Sequence, residues 1–148
     1  MEPVIQLLAD LVAIPSVNPM GRNRSGSEFS EANLAEFLAG HLRKYKIDVE
    51  FQTNIPGRPN VIGYVDAGSD STIMLEAHLD TVHTDTMTIE PFSPDIRKGV
   101  LYGRGACDTK GSMASFLTAT TQLMERGATL RHNILLDLYS VTTYILSL

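Results

Sequence analysis

Three apolar stretches at helical spacing alternate along this chain with short β-type runs, and that order restricts the fold more than any other feature. Pro3 stands at a first helical position, followed by Ile5, Leu8, Leu11 and Val12 in an amphipathic pattern that Pro15 ends. Ser30 suits the N-cap of a second helix reaching about Tyr45, with Leu34, Phe37, Leu38 and Leu42 as its buried stripe. A third helix is expected from Gly111 to about Arg126, with Met113, Phe116, Leu117, Thr120 and Leu123 inward and Gly127 closing it. Between them, Ile47 to Gln52, Asn60 to Val65, Thr72 to Leu75 and Asn133 to Leu138 have strand patterning. The third of these runs is expected to be buried. Pro56-Gly57-Arg58-Pro59 and Asp66 to Asp70 are turns, and Asp95 to Tyr102 forms a short hairpin around Lys98-Gly99. This alternation predicts an α/β fold: a three-layer sandwich around a mixed sheet.

Composition supports one soluble globular domain. Hydrophobic residues make up 43% of the 148, and charged residues 20%, so a core can form. A net charge of −5, with basic residues scattered apart from Arg43, Lys44 and Lys46, argues against nucleic acid as a partner. The single Cys107 leaves no intramolecular disulfide, which suits a reducing compartment. Met1-Glu2-Pro3-Val4 lacks a cationic leader, and the apolar stretch from Val4 to Ile14 is broken by Gln6 and Asp10, so no membrane span is expected. The expected setting is cytoplasmic. The final run from Leu138 to Leu148 has no charge and no turn, and high β propensity. It is an atypical end for a domain, as a truncated or frame-shifted chain would have.

Two short motifs carry the chemistry. Leu75-Glu76-Ala77-His78-Leu79-Asp80-Thr81-Val82 places an imidazole and a carboxylate two residues apart, where a strand gives way to a loop. In extended backbone such residues point the same way. His78 and Asp80 therefore face one side of the sheet's C-terminal edge, where open α/β folds bind ligands. A metal-bound imidazole commonly donates its other ring N–H to a carboxylate, and Asp80 suits that part. Alone, His-x-Asp is more often a loop histidine beside a capping aspartate.

The second motif changes the balance. Gly103-Arg104-Gly105-Ala106-Cys107-Asp108-Thr109-Lys110-Gly111 sets a carboxylate in a glycine-rich turn just before a helix, near the positive end of its dipole. It is not a phosphate loop, because no Gly-Lys-Ser/Thr occurs, nor a dinucleotide fingerprint, because Asp108 takes the place of the third glycine. An imidazole and two carboxylates so placed suit a hydrolytic metal site.

At these residues the chain resembles the N-terminal part of the catalytic domain of the M20 metallopeptidases, the group of acetylornithine deacetylase, succinyl-diaminopimelate desuccinylase and carboxypeptidase G2. The resemblance runs from Leu7 to about Leu136, and includes Ile14-Pro15-Ser16-Val17-Asn18-Pro19 and Arg58-Pro59-Asn60-Val61 beside the two motifs. It implies an incomplete zinc-exopeptidase-like sandwich over residues 1–148, without the family's lid domain. It implies a two-zinc site, with cobalt able to substitute, in which His78 binds one ion, Asp108 bridges both, and Asp80 orients His78 as a catalytic residue. The implied reaction is hydrolysis of small N-acyl amino acids or peptides. It further implies a cis peptide between Asp108 and Thr109.

In the family a glutamate pair follows the next strand, one as general base and one as ligand. Here Val141-Thr142-Thr143 stands at that place, and after Asp108 only Glu125 and Asp137 remain as acids. Two protein ligands are fewer than the three or four of stable zinc sites, so the alternative is a catalytically inactive chain with weak metal binding. His41 and His132 are expected to be solvated, His83 to stand near the metal without a firm role, and Cys107 to pack inside. Thr81 and Lys110 are expected to support the loops. Oligomeric state and the acyl group are not encoded in these motifs.

Overall fold

The computed structural model describes residues 1–20 and 22–140, without the side chain of residue 54. The run 138–148, read from the sequence as an atypical domain end, therefore lies mostly outside the described residues. Helix α1 spans Pro3–Ala13, a short 3-10 turn Ser27–Phe29, and α2 Ala32–Lys44; strands β1 and β2 span Asp48–Ile55 and Arg58–Val65. Strand β3 spans Thr72–His78, β4 Asp95–Arg97, β5 Val100–Tyr102, α3 Lys110–Glu125 and β6 Asn133–Tyr139. Among the described residues no helix is long and apolar enough to cross a membrane.

The main sheet has the order β1-β2-β6-β3. It is mixed, as expected: β1 and β2 are antiparallel, β2 and β6 antiparallel, and β3 parallel to β6. Pro56-Gly57 turns β1 into β2, with Gly57 at φ +76°, the left-handed conformation that a type II turn requires at its second central position. Lys98 and Gly99, at φ +53° and +80°, turn β4 into β5. Register places Val61, Gly63 and Val65 of β2 opposite Leu138, Leu136 and Ile134 of β6, and Ile73, Leu75 and Ala77 of β3 beside the same three residues. On this face Val61, Val65, Ala77, Ile134, Leu136 and Leu138 pack with Leu7 and Leu11 of α1, Leu34, Leu38 and Leu42 of α2, and Met113 and Leu117 of α3 in one core.

Gly63 is where α2 sits down on the sheet. A Cβ there would stand 3.0 Å from Leu42 Cδ1 and 3.2 Å from Leu136 Cδ1. The N-cap of α2 is Glu31, one residue after the expected Ser30; Ser30 Oγ accepts from the Ala32 N–H at 3.1 Å and donates to Gly57 O at 2.7 Å, tying the helix start to the β1–β2 turn.

Three expectations need correction. Thr72 to Leu75 is no buried strand: Ile73 and Met74 are 48% and 49% exposed, because β3 is the last strand of the described sheet. Leu123, expected inward on α3, is exposed; the buried face is instead Met113, Ala114, Leu117, Thr118, Thr120 and Thr121. His41 is not solvated. It lies between Phe37 and Tyr45 on α2, its Nε2 is buried, and burial lowers its pKa.

Candidate functional site

Parallel pairing of β3 with β6 brings His78 level with Tyr139 at the C-terminal end of both strands. The chain then leaves the sheet as Leu79-Asp80-Thr81, and the loop after α1 runs beside it. Ser16 Oγ donates to Leu79 O at 2.8 Å, Thr81 N–H donates to Ser16 O at 2.8 Å, and Asn18 N–H donates to Thr81 O at 2.8 Å. Asn18 Nδ2 donates to Asp80 Oδ2 at 2.8 Å. Asp80 is thereby buried, with its carboxylate aimed and fixed.

The imidazole is held from both sides. His78 Nδ1 lies 2.8 Å from the Asp80 backbone carbonyl and 3.4 Å from Asp80 Oδ1, so the proton on that nitrogen goes first to the main chain, with the carboxylate close behind. Nε2 lies 3.0 Å from Asp108 Oδ1 across the cleft. Asp80's carboxylate raises the His78 pKa to about 9; burial opposes the shift and Asp108 adds to it.

Asp108 reaches the site from the glycine-rich turn. Gly103 and Gly105 sit at φ +157° and +79°, and a Cβ on Gly105 would stand 2.7 Å from Thr81 Cγ2. Glycine at 105 thus allows the second loop to lie directly on the first. The peptide between Asp108 and Thr109 is cis, as the resemblance implies. Thr109 Oγ1 donates to His78 O at 3.0 Å, a second link between the motifs, and α3 starts at the next residue. The Asp108 side chain itself is 82% exposed. His78, Asp80, Thr81, Arg104, Cys107 and Asp108 line a cleft of about 400 Å³.

Of the expected residues, His78, Asp80 and Asp108 converge. His83 does not join them: its Nδ1 stands 3.9 Å from Asp85 Oδ2, in a surface cluster with Arg22 and Arg24. His132 meets the Ser71 hydroxyl at the surface, 2.6 Å away. Cys107, expected to pack inside, is exposed on the cleft wall. Among the described residues no group of three or more His, Cys, Asp or Glu side chains is placed to hold one ion. The His78–Asp108 separation fits two donors on a single ion, since bonds near 2 Å put neighbouring ligands roughly 3–3.5 Å apart. The chemistry fits as one edge of a metal site and not as its full shell.

Sequence reasoning missed Asn18 as the holder of Asp80, and also a buried ion pair behind it. Glu31 is fully buried 3.2 Å from Arg58 Nη2. Burial pushes the Glu31 carboxyl up to about 7, Arg58 pulls it down, and the nearby Asp80 charge adds to the rise. The available signals were polar side chains at 16 and 18 between two prolines, and an arginine in the turn before the second predicted strand.

A sequence model of Peptidase family M20/M25/M40 matches residues 74–137, from β3 through both motifs and α3 into β6. The succinyl-diaminopimelate desuccinylase of Stenotrophomonas maltophilia (strain K279a) is 35% identical over 127 residues, which cover 84% of this chain and 31% of that protein. The enzyme of the same description from Xanthomonas euvesicatoria pv. vesicatoria (strain 85-10) is 34% identical over the same shares. The chain thus spans 31% of the length of these curated relatives. Among solved structures, the M20 family metallo-carboxypeptidase Sso-CP2 from Sulfolobus solfataricus superposes with a TM-score of 0.79 at 22% identity, over 95% of this chain and 31% of that one. Human carnosine dipeptidase 1 does so with a TM-score of 0.76 at 22% identity, over 92% and 31%. At such identities the superpositions speak for the fold, a mixed sheet with helices of the zinc-exopeptidase kind. Motifs, sequence match and fold coincide on the same residues, and the chain belongs to the M20 peptidase family.

Proposed function

We propose that this chain carries the histidine–aspartate edge of a divalent-metal site for hydrolysis of an amide bond in a small N-acyl amino acid or peptide. The observation that carries the reading is the 3.0 Å approach of His78 Nε2 to Asp108 Oδ1 at the mouth of the cleft. His78 and Asp108 would be the ligands. A divalent ion so held acts as a Lewis acid toward a carbonyl and lowers the pKa of water. Asp80 holds the imidazole through Nδ1 so that Nε2 faces the cleft, and Asn18 keeps Asp80 from turning away. The substrate class follows from the relatives, which are described as succinyl-diaminopimelate desuccinylases, a metallo-carboxypeptidase and a dipeptidase. Zinc is the ion best matched to a mixed imidazole and carboxylate donor set.

The shortage of ligands favours a second statement about these 148 residues taken alone: they bind zinc weakly and do not turn over substrate. Two donors are fewer than any stable zinc site uses, and no third joins them among the described residues. Among the described residues no carboxylate other than Asp80 and Asp108 lines the cleft to serve as a general base, a contribution typically worth about 10²–10⁴-fold. Zinc titration by calorimetry, beside His78→Ala and Asp108→Ala, tests the site. Weak binding lost in both variants supports it, and equal binding in all three proteins refutes it. Assay of N-acetyl and N-succinyl amino acids with zinc or cobalt tests the second statement. Turnover abolished by His78→Ala would show that the chain supplies its own base and ligands.

A further inference from the structure

The side chain with the least obvious purpose is Lys110, which follows the motif's Asp108-Thr109 pair. It is 1% exposed and among the largest buried side chains, yet it carries an amine. Nζ donates to Leu11 O at 2.8 Å and to Ile14 O at 2.7 Å, the carbonyls that end α1. Helix α1 has no basic residue in its own last turn and passes straight into extended backbone at Ile14. Its terminal carbonyls, which a helix leaves without intrahelical partners, are therefore capped from 96 and 99 residues away in the sequence.

That contact closes a circuit. From the end of α1 the chain runs to Ser16 and Asn18, which hold Leu79, Asp80 and Thr81. His78 lies one residue before this segment, and its carbonyl accepts from Thr109. Thr109 adjoins Lys110, whose own N–H donates to Gly105 O at 3.0 Å. Lys110 Nζ then returns to α1. Every link is a hydrogen bond or a peptide bond; His78 sits on the ring, and Asp108 is joined to it by one peptide bond at Thr109. Among the described residues the exposed Asp108 carboxylate has one hydrogen-bond partner, His78 itself, so its position depends on the backbone that the ring fixes.

We infer that Lys110 is a positioning residue that sets the affinity of the His78–Asp108 pair for a divalent ion, by clamping the Asp108 turn to the end of α1. The inference rests on the metal-site reading above. A residue that supports ligands from behind typically changes metal affinity by 10–100-fold when removed. Replacing the amine also takes the donor from Ile14 O and leaves Leu11 O with only the Ile14 N–H, 3.3 Å away, at the point where the ring closes.

The experiment uses the full chain with Lys110→Met, which keeps the length and removes the donors, and Leu38→Val, a core change in α2 remote from both motifs. Zinc affinity and amide hydrogen exchange are measured on each. The expected result is a loss of roughly tenfold or more in zinc affinity for Lys110→Met at full saturation of its folded form, with Leu38→Val at the wild-type value. Faster exchange confined to residues 14–18 and 105–111 accompanies it. Equal affinity in Lys110→Met and wild type overturns the inference and leaves the lysine a core residue. If the wild type binds no zinc, the metal reading fails separately. Exchange then decides for Lys110: selective loss of protection in those two segments supports the clamp, and an unchanged pattern overturns it. Should Lys110→Met not fold, Lys110→Gln retains one donor, and an affinity between the two extremes is expected in its place; a wild-type value again overturns the inference.

Discussion

The loop after β3 and the loop before α3 meet at one imidazole, but they are held in place by different means. The first is buried and cross-linked: Leu79 and Asp80 are 0% and 7% exposed, and five hydrogen bonds join it to Ser16 and Asn18. The second is backbone-shaped, with glycines where it touches its neighbour, and ends in a carboxylate facing solvent. One loop thus fixes the orientation of a ligand, whereas the other presents a ligand that an ion or substrate can still reach. Orientation needs a rigid support of polar groups around the imidazole, and access needs the opposite.

The largest effect should come from forcing the two loops apart. Gly105→Ala asks a residue with a Cβ to adopt φ +79° and to stand 2.7 Å from Thr81 Cγ2. Left-handed strain alone costs about 1–2 kcal/mol, and displacement of Thr81 adds to it. Urea denaturation should show a loss of about 2 kcal/mol or more. A variant as stable as wild type would mean that the loops do not bear on each other. Next in size is the contrast between the two aspartates. Asp80→Asn replaces a buried acceptor held by Asn18 and should cost about 1–3 kcal/mol. Asp108→Asn, at an exposed side chain, should stay within roughly 0.5 kcal/mol of wild type. Equal costs would erase the distinction between a supporting and a presenting loop.

That distinction was only half legible in the sequence. Periodicity located all three helices, and the β runs came within a few residues of their observed ends, because apolar spacing is a local property. The motifs at His78 and Asp108 were legible for the same reason: each is a short segment whose chemistry shows in its residue types. What the sequence hid was long-range. Asn18 bonds to Asp80 across 62 positions and Lys110 reaches α1 across 96 and 99, and no local pattern predicts such partners. Exposure was misread for a related reason. Ile73 and Met74 have core-type side chains, but burial depends on what covers a strand, and Cys107 is exposed because its turn forms the wall of a cleft.

A smaller, pH-dependent effect sharpens the comparison from the side of the imidazole. His78 is raised from 6.5 to about 9 in the folded chain, chiefly by Asp80. A base with a raised folded pKa stabilises the fold fully below its unfolded value, near 6.5, and that contribution is lost as pH rises toward about 9. Stability of the wild type relative to His78→Gln should therefore fall between pH 6.5 and 9 and level off above that range. Asp80→Asn should abolish most of the slope, and Asp108→Asn only part of it, since Asp80 is the larger cause. The same proton competes with a metal ion for Nε2, so zinc affinity should rise across the same interval. A slope unaffected by Asp80→Asn would place the stabilising charge elsewhere.

Cys107 gives the mildest test, because it probes the presenting loop while disturbing it least. Its thiol is exposed on the wall of the cleft, beside Asp108. Exposure of this kind gives a reagent direct access, whereas a buried thiol reacts only when the structure opens. Folded protein should therefore react with a disulfide reagent at a rate within a few-fold of the urea-unfolded chain. Zinc held by His78 and Asp108 should slow that reaction, since an ion there occupies the space in front of the thiol. Cys107→Ala should change stability by less than about 0.5 kcal/mol, as expected for a surface position with no packing contribution. A thiol that reacts hundreds of times more slowly in the folded state would show that the second loop is covered like the first, and the division of labour between the loops would not hold.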